Sequence, residues 1–297
     1  MPQRNAEDWR PQFTELLSQG KREDALVLLE SHSTDHAGTP KAADKRAACS
    51  IILKELSADP DELWRMTRAL AIAVSPTRRE LSCILLGPLY ATHPREVEGL
   101  LPVLADDEHW EVRLWAGGLF SELFGQHFDE LCSVYEGWVD HRSQFVRVAV
   151  ATSVMNRKHR EHPERAVALI ELIEPMLSDQ THEVGRNLGP YAIGGALLSF
   201  FPEQTLEHVR RWARSEDEQV LWNVAMVFVA AEGRKHAEVA LEILSDLARD
   251  DRRRVWRAVS SALRNLVKGD PDRVLPVLRT WLNDERKLPA ALAMRGA

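Results

Sequence analysis

Cysteine is scarce in this chain of 297 residues. Cys49, Cys83 and Cys132 lie far apart, with no C-x-x-C and no Cys/His cluster. That spacing argues against a disulfide scaffold or a structural zinc site and suits a reducing interior. Strand signals are nearly absent: no Val/Ile/Thr alternation runs between Asn-Gly or Asp-Gly turns. Long apolar runs are missing too. The longest, from Val220 to Ala231, is interrupted by Asn223 and is too short to span a bilayer. The first residues, MPQRNAEDWRPQ, carry no apolar leader. The expectation is a cytoplasmic protein with no membrane partner. Bulk positive charge is lacking as well, since 38 basic and 45 acidic residues leave a net charge of −7. Any contact with nucleic acid must therefore come from local patches. No P-loop, H-E-x-x-H, G-x-S-x-G or kinase motif occurs, and no metal-ligand spacing, so no cofactor and no metal is expected.

What is present is helical spacing. Between Phe128 and Val139 the apolar positions are Phe128, Leu131, Cys132, Val134, Tyr135 and Trp138, a stripe down one helix face. Gly269-Asp270-Pro271 closes one helix and opens the next, with Asp as N-cap and Pro in the first turn. The pairs recur. Asp106, Asp140, Asp179, Asp217, Asp250 and Asp284 each follow an apolar helix, at spacings of 34, 39, 38, 33 and 34. A valine comes a few residues later, at 112, 146, 184, 220 and 255, and begins a helix rich in small residues. The acid suits a capping role at the turn. A two-helix unit with a period near 35 predicts an all-α, right-handed α-solenoid of about seven HEAT-like helical pairs. The tetratricopeptide signature W-x-x-L-G-x-x-Y is missing. The expected layout is a single HEAT-like repeat domain over 1–297. It has N-terminal capping helices and a loop over 1–40, repeats over 41–285 and a tail over 286–297.

Charge placement gives the functional expectation. Arg79, Arg113, Arg147, Arg186 and Arg257 each follow a turn, one in each of five units. Arg142–Arg160, which includes Arg157 and Lys158, holds five basic residues and no acid, and Arg252–Lys268 holds six and no acid. Only eight of the 38 basic residues are lysine, leaving 30 arginines. The arginine fork grips phosphate bidentately. One reading is a cationic trough that follows a nucleic-acid backbone. The plainer one is a ladder pairing each arginine with an aspartate of a neighbouring turn, and for any single arginine it is the favoured one. Trp138, Trp212 and Trp281 sit at matching repeat positions that suit core packing. Trp110 and Trp222 stand on helices assigned to the inner side, where indoles can stack on bases. The glycines of Gly185–Gly195 imply tight helix packing or a close ligand backbone.

The stretch DDEHWEVRLWAGGLFSELFGQHFDELCSVYEGWVDHRSQFVRVAVATSV, Asp106 to Val154, resembles the HEAT-like-repeat DNA alkylation repair family, the AlkD/AlkC-type alkylpurine DNA glycosylases. Trp110, Trp138 and Arg147 match the family's inner-helix Trp, helix-ending Trp and V-R-x-A arginine. The resemblance covers about half the chain. It implies a groove holding duplex DNA by its phosphate backbone, for which charge and repeat position offer Arg79, Arg113, Arg147, Arg157, Lys158, Arg186, Trp222 and Arg257 as the contacts. It also implies excision of cationic alkylpurines by hydrolysis of the N-glycosidic bond, with Trp110 and Glu111 as the catalytic candidates. The chain departs from the family one helical turn after Trp110, where Arg113 and Leu114 stand in place of an acid. Glu111 is adjacent on another face, and Glu80, Glu108 or Glu183 can serve only if the fold brings them near. The alternatives are a protein–protein interaction scaffold without catalytic activity and an accessory subunit acting on another enzyme.

Overall fold

A computed structural model describes residues 8–294, and all of the regular structure among them is helical. The chain divides into two compact units, one up to Leu123 and one from Phe124 onward.

In the first unit α1 (Arg10–Ser18) and α2 (Arg22–Glu30) form the N-terminal pair, joined through Gly20, whose φ of 73° suits glycine. The loop 31–40 leads to α3 (Ala42–Glu55), α4 (Pro60–Ala71), α5 (Pro76–Leu89) and α6 (Pro94–Ala105). The unit ends within α7 (Trp110–Gln126). Three of these helices begin with proline, whose fixed φ is already helical and whose missing N–H has no partner to lose there. Asp59 caps α4 by accepting the Glu62 N–H at 3.0 Å. Phe13, Leu29, Ile52, Leu81 and Leu85 are fully buried between the layers.

The second unit carries α8 (Phe128–Glu136), α9 (Gln144–Ser153), α10 (Ala166–Ile173), α11 (His182–Asn187), α12 (Leu198–Phe200), α13 (Pro202–Trp212), α14 (Glu218–Val227), α15 (Ala237–Leu247), α16 (Arg253–Gly269) and α17 (Pro271–Trp281). As the sequence predicts, Asp270 caps α17 through the Arg273 N–H at 3.1 Å. The segment expected to be a tail instead contains α18 (Leu288–Ala293). There Ala290 is buried and its carbonyl accepts the Ser260 hydroxyl at 2.9 Å. Two buried small side chains are enough to seat this last turn on α16, which the apolar count of so short a stretch does not signal. Residues 295–297 lie outside the described residues.

The turns share one device. Asp107, Asp179, Asp217, Asp250 and Asp284 each accept the backbone N–H two residues on, at 2.7–3.1 Å. This is the Asx turn that aspartate makes readily. In the first of these turns the work falls to Asp107, not to the Asp106 singled out by spacing.

The glycine-rich segment packs tightly. Leu188–Leu197 is a π-helical stretch between α11 and α12. A Cβ on Gly194 would stand 2.2 Å from the Val227 carbonyl oxygen, and one on Gly189 would stand 2.9 Å from that of Asn223. The glycines thus admit α14, so of the two sequence expectations helix packing is the one realised. Gly194→Ala is expected to cost about 1–3 kcal/mol, because backbone must shift. Gly195→Ala meets only the Pro190 carbonyl at 3.5 Å and should be near neutral. Paired thermal melts of the two variants check this.

Candidate functional site

The first unit buries a small ionic cluster. Lys45, on α3, is fully enclosed. Its Nζ donates to Glu80 Oε2 on α5 at 2.6 Å, to Glu111 Oε2 on α7 at 2.8 Å and to Thr39 Oγ1 at 3.1 Å. All three ammonium protons are thereby used. The Thr39 hydroxyl donates in turn to Glu111 Oε2 at 2.5 Å. Glu80 has no solvent exposure, and its Oε1 has no hydrogen-bond partner. Burial pushes the Glu80 carboxyl up to about 7, against the pull of Lys45. Glu111 goes the other way: burial raises it, but hydrogen bonds from Lys45 and Thr39 outweigh that and hold it down at about 2. Two carboxylates facing one ammonium thus divide the labour, with any shared proton residing on Glu80.

Beside this cluster opens a cavity of about 650 Å3, lined by Lys45, Arg46, Ile84, Glu111, Trp115 and Leu119 among others. Arg46 Cζ stands 5.0 Å from the Trp115 ring centre and Lys45 Nζ 5.5 Å from it. Cys83 also lines the cavity, but burial drives its thiol well above the usual range, so it is no nucleophile.

The two catalytic candidates part company here. Glu111 turns inward to Lys45, whereas Trp110 is 44% exposed and is not among the cavity-lining residues. Adjacent helical positions diverge by about 100°. The Trp110 indole meets His36 edge-on at 5.8 Å and lies against His109 at 6.4 Å. Of the three substitute acids, Glu80 does reach Glu111 through Lys45. Glu108 is 90% exposed, and Glu183 lies beside Arg186 in the second unit.

The arginines fall into two sets. Arg79 donates bidentately to Asp107, at 2.6 and 2.9 Å, and to the carbonyls of Ala73 and Val74. Arg147 repeats this with Asp179 at 2.6 Å and the carbonyls of His141 and Arg142. Arg113 donates to the carbonyls of Asp107 and Glu108. In all three the acceptors lie six and five residues back, so each guanidinium clasps the turn that precedes it. Arg79 and Arg147 also grip the aspartate of another turn, so these two take the ladder role that was the plainer reading.

Arg186 and Arg257 stand one residue later relative to the repeat valine and point elsewhere. Both are exposed, and Arg186 has only Glu183 at 3.8 Å. Arg257 shares an open concavity of about 730 Å3 with Trp222, Arg252, Arg253, Arg254 and Glu218. Arg254 Cζ lies 5.2 Å from the half-buried Trp222 ring. Arg252 is held by Asp250 at 2.5 Å and by the Glu216 carbonyl. Arg253, Arg254 and Arg257 make no ion pair among the described residues. The Trp222 indole also packs 3.7 Å from the Cβ position of Gly185, next to Arg186. Down α16 a face reads Arg253, Arg257, Ser261, Arg264 and Lys268, at helical spacing and without an acid. Arg157 and Lys158 are exposed on the 3-10 turn Arg157–Glu161 and are not among the residues lining this concavity.

Trp212 and Trp281 are buried, as their repeat positions predict, and Trp138 is half-buried. Among the described residues no His/Cys/Asp/Glu group could hold a metal ion, and no helix is long and apolar enough to cross a membrane.

No family model and no curated protein matches the chain. Solved structures do. The karyopherin Kap121p, crystallised bound to the extreme C-terminus of the protein phosphatase Cdc14p, aligns over 98% of this chain with a TM-score of 0.55 at 12% identity. This chain spans about a third of that protein, 34%. YibA of E. coli aligns over the whole of both chains at 16% identity and a TM-score of 0.42. An engineered protein aligns over 98% of this chain and 85% of its own at 15% identity and a TM-score of 0.33. The karyopherin likeness, added to tandem helical pairs with recurring Asx turns, shows a HEAT-like helical repeat fold.

Proposed function

We propose that this protein binds nucleic acid, duplex DNA being the expected partner, through the arginine-rich surface of its second unit. The observation that carries the reading is the set Arg253, Arg254 and Arg257, unpaired among the described residues and gathered around Trp222. Three guanidinium groups with no ion pair among the described residues, sharing their concavity with the one carboxylate of Glu218, repel one another, and a string of phosphates relieves that repulsion. The acid-free face of α16 extends the patch to Arg264 and Lys268. Arg186, one layer away beside Trp222, is available to the same ligand. The proposal is of binding. Glu111, the carboxylate expected to serve base excision, already has one oxygen taken by Lys45 and Thr39.

Affinity for a duplex oligonucleotide should fall steeply with salt. Four or five phosphate contacts give a log–log slope of about −4, from counterion release of about 0.9 per contact. The triple variant Arg253→Ala, Arg254→Ala, Arg257→Ala should flatten that slope by about 3. Fluorescence anisotropy at several salt concentrations measures both. A wild-type slope near zero overturns the reading and leaves the protein-scaffold alternative.

A further inference from the structure

The cavity of the first unit has no part in the nucleic-acid reading, and its chemistry is distinct. Its polar wall holds two cations, Lys41 and Arg46, that make no ion pair among the described residues. The third, Lys45, is spent on Glu80, Glu111 and Thr39, so that group is closed on itself. Glu122 is the other acid in the lining. The apolar part of the lining is Pro40, Ile84, Leu114 and Leu119. Leu114 is 64% exposed, an apolar side chain open to solvent at the cavity. Trp115 also lines the cavity, and its ring already carries two cations, Arg46 and Lys45. An aromatic quadrupole so occupied has little attraction left for a third, so a cationic guest would meet Arg46 and Lys41 head-on. The guanidinium of Arg46 makes no hydrogen bond among the described residues, and Ala42, which opens the first turn of α3, lines the same cavity.

We infer that this cavity is a binding site for a small organic anion, a carboxylate on a flat aromatic body. Arg46 and Lys41 hold the carboxylate, and Trp115, Ile84, Leu114 and Leu119 cover the ring system. A space of about 650 Å3 with an apolar lining and a few convergent polar groups is of the size and make-up that takes such ligands. Arg46 fixes orientation because its planar fork matches a carboxylate bidentately, while Lys41 supplies a point charge at the rim.

The experiment compares 2-naphthoate with 2-naphthylmethylammonium, a cation of similar shape, on the full chain by titration calorimetry and tryptophan fluorescence. One naphthoate should bind per chain with a Kd at or below about 1 mM, corresponding to roughly −4 kcal/mol. Its affinity should exceed that of the amine at least tenfold. Arg46→Met with Lys41→Met should abolish the preference while the circular dichroism spectrum stays unchanged, since both side chains are exposed. Trp115→Phe should remove the fluorescence response. Equal binding of anion and cation, no naphthoate binding in the millimolar range, or undiminished binding in the double variant would each overturn the assignment.

Discussion

Replacing Lys45 with Met should destabilise the protein by about 3–5 kcal/mol, the cost of leaving a buried charge without its partner. Glu80 is fully enclosed, and Glu111 is only 17% exposed at its side chain. Without the ammonium, Glu80 must take up a proton or stand as an uncompensated anion beside Glu111. Without the pull of Lys45, Glu80 neutralises above its parent value of about 7, so the loss should be largest in alkali and shrink as pH falls toward 7, and shrink further in Lys45→Met with Glu80→Gln. In that double variant a neutral amide faces a single carboxylate that Thr39 still serves. Urea unfolding of the three proteins at pH 8 and pH 6 measures these terms. A Lys45→Met protein as stable as its parent at pH 8 would show that the cluster is hydrated in solution.

His159 should make the second unit acid-labile. Its ring is fully buried between Phe124 and Phe128, at 5.2 and 5.8 Å, and neither nitrogen has a hydrogen-bond partner. Burial, and then the charge of Arg165, push it down to about 4, with the backbone near Ser153 pulling weakly the other way. An unfolded chain binds this proton from about pH 6.5 downward, whereas the folded one resists until about 4. Between those values the unfolded state holds more protons, so stability falls as pH falls. Above 6.5 the contribution is complete. Each pH unit is worth about 1.36 kcal/mol, so the window removes roughly 3 kcal/mol. His159→Phe keeps an aromatic ring in the site and has nothing to titrate. Groups such as Glu80 titrate alike in both proteins, so the stability of the parent relative to His159→Phe should fall by roughly 3 kcal/mol from pH 6.5 to 4.5. Parallel decline of the two, followed by urea midpoints, would remove His159 as the cause.

Helix pairs, their turns and the proline-led starts were legible in the sequence because each rests on local chemistry: apolar stripes, Asx turns and N-terminal prolines. The ionic cluster was not found as such, since its members are remote in the chain. Yet Lys45, Glu80 and Glu111 stand 35 and 31 residues apart, close to one repeat. Ionisable residues spaced by the repeat length on the packed side of stacked helices were the available signal. Like spacing along the sequence makes the arginines look like one set. A displacement of one residue separates them, since Arg113 and Arg147 follow their repeat valine directly while Arg186 and Arg257 follow it by two. That single step turns the side chain by about 100°. It moves the guanidinium from the preceding turn to the surface.

The clasping arginines also bear on how the array comes apart. Each fastens its own turn, and Arg79 and Arg147 reach a turn further along, to Asp107 and Asp179. Such links act only between consecutive layers, so disassembly should proceed like unzipping, layer after layer, with no single global transition. Amide protons in α3 to α5, wedged between flanking pairs and tied across by Lys45, should exchange far more slowly than those of the short α18, which packs mainly on α16 and α17 among the described residues. α18 would then open first, and a protease or an unfolding motor would gain its first hold there.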